Sequence, residues 1–151
     1  MILTKPPVCN EFNLGRRFVG RLPHGMDLIT SIENFCKDAS IRMAGFFVKG
    51  SVSSATFGSY DQKQLVYVTI TEKTHFDIVT CTGNVSLQNG TPVVSAHIVL
   101  GDKQGNLTGG HLFSETIIFA GEIDLQELIG KPLERSYDET TGLMLWRKNT
   151  V

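Results

Sequence analysis

The sequence predicts an α+β domain in which one clear helix packs on a mostly antiparallel sheet. Three observations lead to this fold class: one amphipathic stretch near the N-terminus, a series of runs rich in Val, Ile, Thr and aromatic residues after it, and turn signals between those runs. A chain of 151 residues is long enough for one hydrophobic core and short for two. We therefore assign residues 1–151 to a single domain.

The first strand and the helix are expected in the N-terminal part of the chain. In residues 14–22, Phe18 and Leu22 fall on one face and Arg17 and Arg21 on the other, which is the two-residue period of a strand. In residues 26–40 the apolar side chains recur at helical spacing, and Asp27 favours a helix start there because its negative charge lies near the helix N-terminus. These patterns predict a strand followed by a helix.

The residues from 41 onward are typical of strands. The β-rich runs lie at residues 41–60, 64–73, 75–88, 92–102 and 114–125. The Asn-Gly pair at 89 and 90 predicts a tight hairpin between the third and fourth runs. The tail is less regular, and we expect a short helical turn at residues 125–128.

Composition limits the classes of function. Hydrophobic residues make up 41% of the chain and charged residues 19%, a balance typical of a soluble globular protein. The net charge of −1 gives no overall positive excess that would attract a phosphate backbone, so DNA binding would need a local patch. The close basic cluster formed by Arg16, Arg17 and Arg21 is the candidate DNA contact.

The cysteines and the N-terminus indicate a cytoplasmic protein. Cys9, Cys36 and Cys81 are odd in number and irregularly spaced, which predicts neither a disulfide framework nor a zinc knuckle. We expect reduced thiols, with Cys36 and Cys81 buried and unreactive. The sequence contains neither a signal-peptide pattern nor an apolar run long enough to span a bilayer, so no membrane association is expected.

Ser95, His97 and His111 are the strongest candidates for a functional site. Ser95 and His97 are two residues apart in a predicted strand and therefore project from the same face. Gly109 and Gly110, just before His111, allow a close backbone approach that a residue with a Cβ would obstruct. A His-x-His strand followed by a returning histidine would supply the three imidazoles of an open zinc site, but here the first of the three is a serine.

The sequence resembles the PPC domain, a family named for its presence in plants and prokaryotes. The resembling stretches are RFVGRLPHGMDLITSIENFCKDASIRMAGFFVKGSVSSATFGSYD, FDIVTCTGNVSLQNGTPVVSAHIVLGDKQGNLTGGHL and YDETTGLMLW. Together they span roughly residues 14–146, which we take as the domain core. The specific signal is the combination of Gly-Asn before a hairpin, a strand ending in Leu-Gly-Asp, and Gly-Gly-His-Leu.

The resemblance implies a compact fold, a central antiparallel sheet flanked by helices, and assembly as a homotrimer. Prokaryotic members are commonly described as DNA-binding proteins, a label largely inherited from plant members that carry Arg-Gly-Arg-Pro segments beside the domain. This chain has no such segment. The first hypothesis for its function is therefore a non-catalytic, trimeric, regulatory protein of the DNA-binding type, which acts through protein partners or through weak DNA contact by Arg16, Arg17 and Arg21.

The resemblance also implies ligand positions, because some prokaryotic members hold a metal through these histidines. It places Ser95, His97 and His111 at the three positions. A serine hydroxyl is a poor zinc ligand, so a zinc ion would need a further ligand from His24, His75, Glu122 or a neighbouring subunit. The second hypothesis is thus a metal- or small-molecule-binding protein, with an enzyme of unknown reaction as one form of it, whose pocket is lined by Ser95, His97, His111, Glu122 and His24.

Several interpretations stay open on the sequence alone. His97 and His111 could bind a metal, line a polar pocket without metal, or be ordinary hydrogen-bonded or surface histidines. Glu122 could orient His111 as part of an acid–base pair if the strand at 115–124 runs beside the Gly-Gly-His-Leu segment. The third hypothesis is a structural assembly module, since one helix covers little of a sheet and leaves apolar strand faces to bury.

Overall fold

The computed structural model describes residues 5–147 of the chain. Within this range the chain forms eight strands and one helix. Their bounds are β1 (Asn13–Leu22), α1 (Leu28–Asp38), β2 (Ala44–Asp61), β3 (Val66–Glu72), β4 (Phe76–Gln88), β5 (Thr91–Gly101), β6 (Leu107–Ile129), β7 (Arg135–Asp138) and β8 (Leu143–Trp146).

The main sheet has six strands in the order β1-β6-β5-β4-β2-β3, and β6 also pairs with β2. This additional pairing closes β2, β4, β5 and β6 into a small barrel, and β1 and β3 extend the sheet at its two ends. Every strand pair is antiparallel. The prediction of a mostly antiparallel sheet is confirmed, and β7 and β8 add a separate two-stranded hairpin.

Helix α1 packs against β5 and β6 and covers the core between them. Its inner face carries Leu28, Ile32 and Cys36, all fully buried. The predicted helix at 26–40 is therefore confirmed, with shorter ends. The expectation of several flanking helices is wrong for the described residues, because α1 is the one helix there and the barrel closes most of its core with strands.

The start of α1 is fixed by Asp27, which precedes the helix and caps it. One carboxylate oxygen accepts a hydrogen bond from the backbone N–H of Thr30 at 2.9 Å. The other accepts from the N–H of Thr116 in β6 at 3.1 Å. A single side chain thus ends the loop after β1, begins the helix and attaches it to the sheet.

At its N-terminal end β5 pairs with β4 on one side but with no strand on the other. There the Glu33 side chain of α1 accepts a hydrogen bond from the N–H of Val94 at 3.0 Å. Burial raises the pKa of this carboxyl group, and the Val94 hydrogen bond opposes the rise. The helix side chain therefore supplies the acceptor that a neighbouring strand would supply elsewhere.

Residues 125–128 lie in β6 and form no helical turn, so that expectation is wrong. Leu125 pairs with Phe18 of β1 on one side and with Phe46 of β2 on the other. Leu125 and Glu127 are both buried, which is the two-residue period of a strand. Because both edges of the segment are used by neighbouring strands, the extended conformation is stabilised over a helical turn.

The Asn-Gly hairpin is confirmed. Asn89 and Gly90 join β4 to β5 and have φ angles of 51° and 74°, the two positive values that a type I′ turn requires.

Cys36 and Cys81 are buried as expected, and burial raises the pKa of each thiol to about 12. In the part of the chain that the structure describes, no helix is both long and apolar enough to cross a membrane.

Gly109 and Gly110 allow three strands to meet. Their φ angles are 149° and 155°, values that residues with a side chain rarely adopt. A Cβ atom at Gly109 would overlap the carbonyl oxygen of Ile98 in β5, and one at Gly110 would overlap that of Gly58 in β2. The close approach expected from the sequence is confirmed, and it lets β6 pair with both neighbours at this level.

We predict that Gly110→Ala lowers the free energy of unfolding by at least about 2 kcal/mol, because the new methyl group meets backbone atoms that cannot move aside. The matched control is Gly45→Ala in β2, where an added Cβ finds no atom within 4 Å and the change should be below about 0.5 kcal/mol. Urea unfolding of the three proteins measures both values. Equal stability of the two variants would contradict this account.

Candidate functional site

His97 and His111 lie side by side on neighbouring strands. They are directly paired in the antiparallel register of β5 and β6, and His111 is also paired with Gly58 of β2. Their ring centroids are 5.4 Å apart, with the ring planes at 88°. His97 is exposed and His111 is half-buried. The sequence prediction that the two histidines come together is confirmed by this pairing.

Both histidines open onto a groove of about 800 Å³. Ser95 lines the same groove, as the two-residue period from His97 requires. The groove runs between the barrel and the β7–β8 hairpin, whose residues Leu143, Met144 and Leu145 form its other side. Its volume lies in the range of about 300–1,000 Å³ that is typical of small-molecule sites.

Aromatic rings hold His111 in place. The Tyr67 ring lies 4.9 Å from the His111 ring, and the Phe113 ring lies 5.0 Å from it, both measured between centroids. Tyr60 packs against Tyr67 at 4.9 Å, and its hydroxyl donates a hydrogen bond to the Thr141 carbonyl oxygen at 2.6 Å. The hairpin and the barrel are thus joined through the same aromatic cluster that fixes the histidine.

Arg135 of β7 is the one Lys or Arg among the described residues that line the groove, and no Asp or Glu lines it there. Its guanidinium donates hydrogen bonds to Asn84 Oδ1 at 3.0 Å and to the Met144 carbonyl oxygen at 3.1 Å. The sequence analysis missed Arg135 and Tyr67. No local pattern marks them, because Arg135 reaches the groove through the β7–β8 hairpin and Tyr67 through the edge strand β3.

The surroundings of His111 favour its neutral form. Burial lowers the pKa of His111 below the ordinary 6.5, and the positive charges of His97 and Arg135 lower it further. Neutral imidazole can accept a hydrogen bond or bind a metal, whereas imidazolium can do neither. The groove therefore favours the neutral imidazole of His111 in the neutral pH range.

His24 and His75 lie in another part of the fold. His24 Nδ1 donates a hydrogen bond to the Phe119 carbonyl oxygen at 2.7 Å, so this turn histidine is held by the backbone. His75 stacks near the Phe119 ring and lines a separate hollow of about 270 Å³. Phe119 follows His111 by eight positions along β6. The structure therefore does not bring His24 to the groove.

Glu122 is also remote from His111, which corrects the expected acid–base pair. It lies eleven positions further along β6, opposite Arg21 and Lys49 on the two neighbouring strands. Its carboxylate forms an exposed ion pair with Lys49 Nζ at 3.5 Å. The Gly-Gly-His-Leu segment and Glu122 belong to the same strand, β6, and do not lie on neighbouring strands. The side chains of His111 and Glu122 are therefore separated along the length of β6.

Two of the three candidate DNA contacts are paired with acidic side chains. Arg16 forms a two-pronged ion pair with Glu127, at 2.7 and 3.0 Å. Arg17 forms one with Asp124. These guanidinium groups hold the pKa of both carboxyl groups below their usual range. Arg21 has no ion pair within 4 Å among residues 5–147.

The histidine pair fits part of a zinc site. Two imidazoles bound to one Zn²⁺ at a tetrahedral angle have ring centroids about 5 Å apart, and the observed 5.4 Å agrees with this. However, no group of three or more His, Cys, Asp or Glu side chains suited to a metal occurs in the described part of the chain. With Ser95 at the third position, the donors of residues 5–147 in one chain do not complete a structural or catalytic zinc site.

The fold and the groove define a class of small domain, in which a closed antiparallel sheet carries one helix and a pair of histidines beside a cleft. A family model for the Plants and Prokaryotes Conserved domain, abbreviated PCC or PPC, matches residues 9–129. The chain belongs to this family, which confirms the resemblance seen in the sequence.

Solved structures agree with this assignment. A plant- and prokaryote-conserved protein of Pyrococcus horikoshii is 36% identical with a TM-score of 0.89, and the alignment covers 96% of this chain and 100% of that one. A metal-containing protein of Archaeoglobus fulgidus is 39% identical with a TM-score of 0.87, covering 91% and 97%. A Ralstonia eutropha protein, whose name proposes DNA binding, is 26% identical with a TM-score of 0.73, covering 84% and 88%. No curated protein matches the chain.

We predict that His111 titrates below pH 6.5 and that its titration contributes to stability. Because its folded pKa is depressed, this contribution is present above pH 6.5 and is lost as the pH falls through the folded pKa. NMR titration of the ring signals measures the pKa. His97→Ala should raise it, since one neighbouring charge is removed, and His75→Ala is the matched control that should leave it unchanged. An ordinary pKa in the natural protein would contradict the account.

Proposed function

We propose that this chain binds a small molecule in the groove lined by Ser95, His97 and His111. The observation that carries the proposal is the placement of two adjacent imidazoles on the wall of a cleft of about 800 Å³. Concave sites with apolar walls and a few converging polar groups are the usual form of small-molecule sites. Here the polar groups are the imidazoles, hydroxyls and one guanidinium, and the walls are Val93, Val94 and the β8 residues.

The proposal assigns binding and not catalysis. Among the described residues, no hydrogen bond joins Ser95 to either histidine, and the acid that would orient His111 lies elsewhere on β6. Activated nucleophiles need such a neighbouring base and an orienting group. One relative is described as a metal-containing protein, and the serine here favours a ligand held by hydrogen bonds over one held by a metal.

The DNA-binding function that some family members are named for has weaker support in this chain. Arg16 and Arg17 are neutralised by Glu127 and Asp124, so only Arg21 of the basic cluster offers an unpaired charge among the described residues. One cation on a protein with a net charge of −1 provides little of the phosphate attraction on which DNA affinity depends.

We also propose that the chain assembles as a homotrimer in the cytoplasm, as the family resemblance implies. Strand β3 has one free edge, and Val66, Val68 and Ile70 on one of its faces are 46%, 56% and 50% exposed. Such an apolar stripe is stabilised when another copy of the chain or a protein partner covers it. The buried free thiols of Cys36 and Cys81 agree with a reducing compartment.

The ligand-binding proposal predicts that metabolites bind to the natural protein in a screen by ligand-observed NMR and that Ser95→Phe abolishes their binding. The phenyl ring would fill the groove next to His97. Ser53→Phe on β2, also a half-buried serine of the barrel but outside the groove lining, is the matched control and should keep the binding. If every compound that binds is bound equally by Ser95→Phe, the groove is not the site and the proposal fails.

We predict no binding of a fluorescently labelled DNA duplex at physiological salt, with a dissociation constant weaker than about 0.1 mM. At low salt, Arg21→Ala should leave any residual binding unchanged, because one charge contributes little. Arg21 is the informative position, since replacing Arg16 would also leave the buried Glu127 unpaired. Tight binding that falls with Arg21→Ala would restore the DNA hypothesis.

A further inference from the structure

Arg135 lacks a counter-ion. Among residues 5–147, Arg16, Arg17 and Arg147 each pair with a carboxylate, whereas no carboxylate lies within 4 Å of the Arg135 guanidinium. Its neighbours are neutral: Asn84, the Met144 carbonyl group and the Trp146 ring, whose centroid lies 4.9 Å from the guanidinium carbon. The side chain is half-buried, and burial lowers the pKa of Arg135.

The hydrogen-bonding capacity of Arg135 is also only partly used. A guanidinium carries five N–H donors. Two of them donate to Asn84 and Met144, and the buried Nε–H has no acceptor. A half-buried charge without a counter-ion has lost part of its hydration, and this loss is costly unless a partner replaces it. The second N–H group of Nη1 and that of Nη2 have no acceptor among the described residues, and these are the donors that a ligand in the groove would use.

Arg135 also lies where a ligand would reach it. Its partner Asn84 is paired with Ser95 in the register of β4 and β5, so the guanidinium lies next to the serine of the groove. Its positive charge also contributes to the lowered pKa of His111. Arg135 therefore faces the same space as the two imidazoles, from the hairpin side.

We propose that the ligand of the groove is a small organic carboxylate whose carboxylate group binds Arg135. This inference rests on the proposed small-molecule function and names the class of ligand. The planar guanidinium fork matches a carboxylate in two parallel hydrogen bonds. The described lining residues supply one full positive charge and no acid, so the groove complements a single negative charge better than the double charge of a phosphate monoester.

The rest of the lining defines the body of the ligand. Val93, Val94, Leu143 and Leu145 provide apolar contacts on both sides of the groove. Ser95, His97 and His111 provide hydrogen-bonding groups on the barrel wall beside Arg135. The matching molecule has a carboxylate at one end, an apolar middle and a group that exchanges hydrogen bonds with imidazole.

The first test compares benzoate with benzamide, which has nearly the same shape and no charge. Both are titrated at pH 8 into protein treated with EDTA, and binding is followed by backbone and arginine Nε–H signals in ¹⁵N NMR. We expect benzoate to bind at least about tenfold more tightly, and to shift the Arg135 Nε–H signal. Phenyl phosphate is the third probe and should bind more weakly than benzoate; tighter binding of phenyl phosphate would overturn the carboxylate assignment.

The second test replaces the guanidinium. Arg135→Gln should abolish the preference for benzoate over benzamide, and Arg135→Lys, which keeps the charge but loses the fork, should retain part of it. Arg147→Gln is the matched control, because Arg147 follows the same hairpin but pairs with Glu134 outside the groove. The comparison of probes on the natural protein stands even if a variant unfolds.

The outcomes separate this inference from the function on which it rests. If benzamide and benzoate bind the groove equally, and both are lost in Ser95→Phe, the groove binds small molecules but the carboxylate assignment is wrong. If neither probe shifts any groove signal and the metabolite screen also finds no ligand, the proposed function itself fails. If benzoate binds but shifts only signals outside the groove, the assignment to Arg135 is wrong.

Discussion

The contact on which the site depends is the backbone approach at Gly109 and Gly110, where β6 lies against β5 on one side and β2 on the other. This approach closes the barrel and, one residue later, places His111 opposite His97. At Gly109 and Gly110 the backbones of β5 and β2 lie so close to β6 that a Cβ atom would overlap their carbonyl oxygens. The histidine pair is therefore a direct product of barrel closure, because the register of β5 and β6 sets the two residues opposite each other.

The groove combines two parts of the chain. The imidazoles and Ser95 stand on the barrel, within the residues 9–129 that the family model matches. Arg135 and the β8 residues come from the hairpin beyond that range. One wall thus carries the two histidines and the serine, and the other carries the positive charge. A change in the hairpin would alter which ligand fits while leaving the barrel and its histidines as they are.

The sequence predicted most of the main sheet, the helix and the Asn-Gly turn, because alternation and helical spacing are local patterns that burial of one face enforces. It did not predict β7, β8 or the first part of β6, at residues 107–113. It failed at residues 125–128, where a segment with mixed pattern is extended only because β1 and β2 both pair with it. Ser95, His97 and His111 could be found from spacing and from the two glycines. Arg135 could not, since its role depends on a missing carboxylate and on a hairpin that folds back over the barrel.

The hydrogen bond from Val94 to Glu33 has a consequence for aggregation. Sheet edges with free N–H and C=O groups are templates on which other chains add strands. Where β6 leaves β5, helix α1 covers the exposed edge, and a carboxylate occupies the donor that an incoming strand would need. The protein thus protects this part of the β5 edge with a helix side chain, and the strand edges left for the addition of another strand are the outer sides of β1 and β3.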